Sequence, residues 1–505
     1  MRRILIDNLA KSYGSLFKIH ALFNADLLYT YDSKALQHIV LKDQHIWEEP
    51  EDFIIKFGAG LLATLGDHHR KQRKILKPVF SIAHMRDMTP TFYSIGRKLR
   101  DSLTKLNESE KEIDMLPWLT LCALELIGQS GFGYSFDTLE IGAPDHRFGH
   151  SMKNYTAALN DTALVICRFT IMPIVHTWGS RRFQRAVVDF LPWKALHEVR
   201  DMVDVMHSTS VEIFEKTKQV IKEGGIAATE RVVGGKDIMS VLVKANMLAS
   251  EEDRLPDNEL IGQVSTLTFA AMDTTSNALA RILHLLATHQ DVQEKLRKEI
   301  REAHFIHGEE PDYENLTALP YLDAICRETL RLHAPVPILT RVATQDAILP
   351  LANPIKSTNG RLLHEVLVPQ GTSIFISPHH CNRDPAIWGP DATEWKPERW
   401  LSPLPESLVE ARVPGVYSHL MTFLGGSRSC IGFKFAQLEM KVILSLLVER
   451  FQFALGDKKI IWLSNGIGSR LTLHHHHHHH HPQSTAHNVK TPSTFAINRI
   501  RAISL

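Results

Sequence analysis

Cys430 is the residue with the most chemistry to offer. It stands in Phe423-Leu424-Gly425-Gly426-Ser427-Arg428-Ser429-Cys430-Ile431-Gly432, before an amphipathic stretch through Phe433, Ala436, Leu438, Met440 and Val442. Paired glycines permit turn conformations and let the backbone approach a flat ligand, because no Cβ intervenes. Near the first turn of a helix, unpaired N–H groups favour a thiolate, and Arg428 adds a positive charge two residues earlier. A stabilised thiolate in a glycine-lined loop is a nucleophile or a metal ligand. The plainer alternative is a buried, inert cysteine.

Two further groups put polar chemistry where apolar packing is expected. Inside the long periodic stretch 257–288, Phe269-Ala270-Ala271-Met272-Asp273-Thr274-Thr275-Ser276 sets an acid and three hydroxyls in a helix interior. Such groups are costly unless bonded, so the stretch is either a locally bonded, bent helix or a site that uses them. Glu328-Thr329-Leu330-Arg331 puts a carboxylate and a guanidinium on one helix face. The same spacing at Glu251 with Arg254 and at Glu294 with Arg297 reads as ordinary exposed pairs. Cys326 and Leu330 point to burial for Glu328, and Pro397-Glu398-Arg399-Trp400 follows downstream.

Together these residues resemble the cytochrome P-450 family. Phe423, Gly426, Arg428, Cys430 and Gly432 match all five fixed positions of its haem-thiolate signature, F-x-x-G-x-R-x-C-x-G. The resemblance implies that Cys430 is the axial ligand of a haem b iron, with Arg428 on a propionate and Phe423 beside the sulfur. In the family this thiolate pushes electron density onto iron to favour O–O cleavage. The 269–276 stretch resembles the oxygen-activation helix A-G-x-D/E-T, with Ala271 where glycine is common. Ala270 and Ala271 would then leave room above the iron while Asp273 and Thr274 relay protons. Glu328, Arg331 and Arg399 would form a buried charge network on the haem side.

His69 and Arg73, four apart in the basic run 67–74, would reach the propionates, as would Arg341. Histidine stands there where tryptophan is commoner. Taken alone, that run reads as a solvated helix face. Phe57, Phe269, Ala270, Pro337, Ile338 and Leu339 would touch the substrate.

Positioning these residues calls for a mainly α architecture with a small β-rich subdomain, by resemblance the haem-thiolate fold, in one domain over 1–473. Short strands read at 15–22 and 26–31 as a hairpin, and at 366–368 and 372–377. Helices read at 33–42, from Asp67 through the basic run, mostly through 151–224, and at 257–288, with Asp257 as a candidate cap after Pro256. The prolines of 335–341 make that segment extended, and 382–389 reads as irregular. Loop 53–62, apolar and glycine-broken, lines a pocket or tucks into the core with neither favoured. Two apolar clusters, Phe169 to Trp178 and Phe190 to Trp193, read as core, or else as a lid whose aromatic rim rests at a membrane interface. Residues 474–505, opening with the eight histidines His474 to His481, read as a disordered tail.

Composition bounds the function. With 505 residues, 44% hydrophobic, 22% charged and a net charge of +1, the chain can bury a large core and has no bulk attraction for nucleic acid. Its five cysteines lack close spacing, which suits neither a disulfide framework nor a zinc site and fits a reducing compartment. No apolar stretch approaches the ~18 residues of a spanning helix, and the first residues are interrupted too early for a signal peptide. The family's usual N-terminal anchor, proline-rich hinge and C-terminal hairpin are not evident in the sequence.

Without a glycine-rich dinucleotide motif, electrons would come from a separate flavoprotein, NADPH-cytochrome reductase, docking on Arg70, Lys71, Lys74 and Lys434. The expected activity is insertion of one atom of O2 into an apolar terpenoid, steroid, fatty acid or aromatic, in specialised metabolism of a fungal kind. The family implies the cytoplasmic face of the endoplasmic reticulum, with peripheral membrane contact. Two rivals are a haem-thiolate isomerase or dehydratase needing no reductase, and a non-catalytic haem-binding product of a truncated gene.

Overall fold

A computed structural model describes residues 2–504 except 21–25, 51–58, 110–111, 145, 160, 172–174, 176–177, 233–236, 358, 457–459, 466–467 and 474–498. The helices that build the site are α1 (Arg2–Tyr13), α2 (Gly66–Leu76), α3 (Ile82–Ser109), α4 (Met115–Leu126), α5 (Arg181–Phe190), α6 (Lys194–Val232), α7 (Asp257–Thr288), α8 (Gln290–His307), α9 (Pro320–Leu332) and α10 (Phe433–Arg450). The strands are β1 (Leu16–His20), β2 (Asp26–Thr30), β3 (Trp47–Glu48), β4 (Ile113–Asp114), β5 (Leu339–Ala343), β6 (Ala347–Lys356), β7 (Leu362–Val368), β8 (Ser373–Ile376), β9 (Phe451–Leu455), β10 (Ile460–Asn465), β11 (Gly468–Leu473) and β12 (Arg499–Ser504). Helices dominate, and a five-stranded sheet in the order β1-β2-β8-β5-β3 forms the β-rich side.

The expected hairpin of β1 and β2 is present, Leu16 opposite Thr30. β2 then pairs in parallel with β8, more than 300 residues later in the chain. Helix α7 runs through the core because Leu260, Val264, Leu267, Ile282, Leu283 and Leu286 recur on its buried faces. It packs on α4, α6, α10 and β9, while α3 packs along α10 with Phe92 edge-on to Phe435 at 4.8 Å.

Several expectations need correction. Asp257 is the first residue of α7 and Pro256 takes the cap position, with no side-chain cap. The Asp257 carboxylate still suits the positive helix end, and it pairs with Lys218. Stretch 33–42 is a short helix capped by Asp32 that continues as a π turn over His38–Lys42. Stretch 382–389 contains a helical turn, Pro385–Trp388. Arg297 is buried, not exposed: beside its pair with Glu294 it donates to the Val448 and Phe451 carbonyls, each at an N–O distance given by 3.0 and 2.9 Å. That bonding ties α8 to the end of α10.

The described members of the apolar clusters read first as core lie outside it, while the Phe169 side chain and residues 172–174 are not described. No residue of α5 is buried, and Trp178 is 61% and Phe190 89% exposed. Phe183, Val187 and Phe190 follow a 4–3 spacing that gathers them on one face of α5, and all three are exposed. The tail is corrected in part: β12 lies between β4 and β9 in a three-stranded sheet, while 474–498 fall outside the described residues. An antiparallel hairpin, β10 with β11, precedes the histidine tract. Among the described residues, no helix is long and apolar enough to cross a membrane, and all five cysteines are free.

Candidate active site

Cys430 lies two residues before Gly432, which occupies the cap position of α10, so it stands just outside the first turn. Backbone bonds hold it there: its N–H donates to the Phe423 carbonyl at 2.8 Å, and Ser429 N–H donates to Gly426 O at 3.2 Å. The Phe423 ring packs between Tyr417 and Phe433, with centroids 5.7 and 6.1 Å away. Gly426 has φ +66°, and a Cβ there would fall 2.0 Å from Val40 O; on Gly425 it would fall 1.8 Å from Pro414 O. These two glycines therefore serve close backbone packing. Gly432 is the open one, with its nearest foreign atom on Phe80 at 3.8 Å.

The Cys430 side chain is exposed, yet surrounding protein raises its thiol pKa by burial. The Gly432 N–H and the Arg73 charge act in the opposite direction. Burial outweighs them, so the expected thiolate is not favoured by the helix end alone. A cation on the sulfur supplies the missing stabilisation, which suits a metal ligand better than a free nucleophile.

Four cationic or titratable side chains from three segments converge nearby. Arg73 of α2 donates to Ser429 Oγ at 2.8 Å, Arg428 to Thr64 O at 2.6 Å, and Arg341 of β5 to Thr340 O at 2.8 Å. His69 of α2 is buried, and its pKa is lowered to about 3 by burial and then by Arg428, Arg73 and Arg341. It is neutral at physiological pH. The Glu49 carboxylate pairs with Arg341 at 3.5 Å and with Arg428 at 3.2 Å. Arg341 and Arg428 face the Glu49 carboxylate, Arg73 adds a third guanidinium beside Ser429, and Glu48 also acts on Arg428, so cations outnumber carboxylates, which suits a flat ligand that carries carboxylates of its own. The residues fit haem b: Cys430 would hold the metal and the arginines would meet the carboxylates.

Helix α7 carries the acid and the hydroxyls. Ala270 is exposed although Thr268 and Met272 beside it are buried. Thr274 Oγ1 donates to Ala270 O at 2.6 Å, and Asn277 Nδ2 and Ser276 Oγ donate to Asp273 O at 2.6 and 3.3 Å. Side chains thus compete for the carbonyls of the turn that holds Asp273, a pattern that bends helices. Asn277 was not singled out from sequence; its placement four residues after the acid was the available signal. Glu439 of α10 was also missed. It is fully buried near Thr275 with no well-formed hydrogen bond to either oxygen, and burial raises its pKa well above the carboxylate range.

The substrate residues divide. Strand side chains alternate, so Leu339 and Arg341 share a face and Ile338 turns to the other. Ile338 packs on Ala10, Phe17 and Tyr29 near α1. The Pro337 carbonyl accepts the His379 N–H at 3.2 Å. Phe269 packs against the core, and Phe57 lies outside the described residues. The described end of its loop tucks onto α7: a Cβ on Gly60 would fall 2.0 Å from Thr266 Oγ1. Gln72 fastens this junction, donating to Ala59 O at 3.0 Å and to Glu259 at 2.7 Å.

Below the site, Glu328 and Arg331 form a two-pronged pair at 2.8 and 2.7 Å with neither side chain exposed. Glu328 also accepts from Trp400 Nε1 at 2.9 Å and Lys396 N–H at 3.1 Å. Arg399 reaches Glu328 at 3.4 Å but bonds more closely to Asp391, at 2.8 Å.

A sequence model of the Cytochrome P-450 family matches residues 3–472. Cytochrome P-450 monooxygenase 91 of Postia placenta is 50% identical over 468 residues, covering 92% of this chain and 85% of the relative. A ganoderic acid synthetase of Ganoderma lucidum is 43% identical over 469 residues, covering 91% and 85%. A glycine-flanked cysteine and an arginine-rich edge are thus found in a chain whose residues 3–472 follow that family, and the chain belongs to the cytochrome P-450 family as a haem b-dependent monooxygenase.

Proposed function

We propose that this monooxygenase inserts one oxygen atom from O2 into an apolar small molecule, a terpenoid, steroid, fatty acid or aromatic, in specialised metabolism. The observation that carries the reading is the open Cys430 before α10, with α7 packed on α10 and exposing Ala270. The relative named for ganoderic acid supports a specialised metabolite as product. Haem, when bound, supplies the iron at which oxygen is activated.

Asp273 and Thr274 are the proton-handling pair. The Asp273 carboxylate takes up a proton from solvent and delivers it to the Thr274 hydroxyl. That hydroxyl is parked on Ala270 O and must leave this bond to serve the cofactor side. Ala270, small and exposed, leaves space for the substrate there.

Electrons arrive from NADPH-cytochrome reductase on the basic face that includes Lys71 and Lys434. Arg70 and Lys74 of the same face are already paired, with Asp67 and Asp253. The exposed apolar face of α5 rests on the endoplasmic reticulum membrane from the cytoplasmic side.

The test is the absorption spectrum of the reduced protein with carbon monoxide, for wild type and Cys430→Ser. A strongly red-shifted Soret band is expected in the first and its loss in the second. Persistence of the band in the variant would remove Cys430 as ligand. In turnover, Asp273→Asn is expected to lower product formed per NADPH by about 10-fold or more; undiminished coupling would remove the proton role.

A further inference from the structure

Glu49 has no part in the scheme above, and the sheet brings it to the cofactor edge. β3 pairs with β5 so that Glu48 lies opposite Val342, which sets the next residue beside Arg341. The Glu49 side chain is only 9% exposed, with Oε1 3.5 Å from Arg341 and Oε2 3.2 Å from Arg428. These are charge contacts without hydrogen-bond geometry, since buried Oε2 has no hydrogen-bond partner. The guanidiniums are aimed by other groups, Arg341 by Thr340 O at 2.8 Å and Arg428 by Thr64 O at 2.6 Å. Glu49 therefore contributes charge to the cluster and little orientation.

We propose that Glu49 is a built-in counter-ion that competes with the haem carboxylates for Arg341 and Arg428 and so limits how tightly the protein holds its cofactor. The inference rests on reading the arginine cluster as the carboxylate-binding edge. With the charge present, part of the field of two arginines is spent on Glu49. With it removed, their backbone anchors remain and more of their charge faces the ligand, although Glu48 still acts on Arg428. At an effective dielectric of about 20, one unit charge within about 10 Å changes binding by about tenfold.

The experiment measures haem transfer from the purified holoprotein to excess apomyoglobin, alongside a redox titration. Glu49→Gln keeps the shape and removes the charge, so transfer is expected to slow about tenfold and the midpoint potential to rise. Glu49→Asp keeps the charge and is expected to transfer haem at nearly the wild-type rate. Arg428→Ala is expected to lose haem faster, which tests the underlying assignment separately. If Arg428→Ala holds haem as wild type does, the cluster is not the carboxylate edge. If Arg428→Ala loses haem faster while Glu49→Gln transfers it at the wild-type rate or faster, with an unchanged unfolding midpoint, the assignment stands and the competition is refuted.

Discussion

At the scale of single residues, burial decides more than neighbouring charge. Cys430 has a helix end and Arg73 to favour its thiolate, yet its surroundings raise the thiol pKa. His69 shows the same effect with the opposite sign, held neutral by desolvation and by three arginines. Glu439 is the extreme case. Because its folded pKa is raised, it stays protonated in the native state while the unfolded chain ionises above the ordinary carboxylate value of 4.5. Its contribution to stability is therefore fully present below that value and is lost as pH rises toward the folded pKa. Glu439→Gln is expected to stabilise the protein by about 1–2 kcal/mol at pH 8 and by much less at pH 4.5. Thermal unfolding of both forms at both pH values checks this; equal gains would sink the argument.

At the scale of elements, what positions the site is a set of polar ties between helices and loops distant in sequence. Gln72 joins α2 to Glu259 of α7, and Arg331 of α9 is locked to Glu328 below the cysteine loop. Removing one member of that pair leaves a buried charge unpaired. Glu328→Gln is expected to cost about 3–5 kcal/mol, seen as a lower unfolding midpoint and loss of haem during purification. A variant that retains full haem and wild-type stability would show that Trp400 and Lys396 suffice to satisfy the position. Helix α5 is tied to α6 by the pairs Arg185 with Asp204 and Arg200 with Asp189, while its Phe183, Val187 and Phe190 face remains exposed.

At the scale of the whole molecule, two surfaces carry predictions. Replacing Lys71 and Lys74 together with glutamate reverses charge on α2 and frees Asp253. The reductase concentration for half-maximal turnover is expected to rise about 5- to 10-fold at low salt and less at high salt; an unaltered titration would move the docking face elsewhere. For the membrane, Phe183→Asp with Phe190→Asp is expected to abolish most co-flotation with phosphatidylcholine vesicles. Equal flotation of the variant would assign membrane contact to another surface.

How much of this was legible in the sequence follows from the range of each interaction. The cysteine motif, the acid and threonine of α7 and the Glu328 with Arg331 pair are local patterns, with partners within ten residues, and they point to the family before any fold is known. Helix periodicity is local as well, which is why 257–288 was readable to within a residue, although the cap was placed on Asp257 and not on Pro256. The surroundings of Leu339 and Arg341 could not be read, because the face of a strand depends on which neighbours it joins, and β5 lies between β8 and β3. β12 was missed because its pairing partners, β9 and β4, lie some 45 and 390 residues away. Glu49 carried no sequence signal at all: only the pairing of β3 with β5 puts a carboxylate against two arginines. Residue chemistry and helical period are properties of the chain, so sequence alone determined the haem-thiolate identity. Burial, strand register and charge convergence arise only when distant segments meet in a low-dielectric interior, and those the tertiary structure decided.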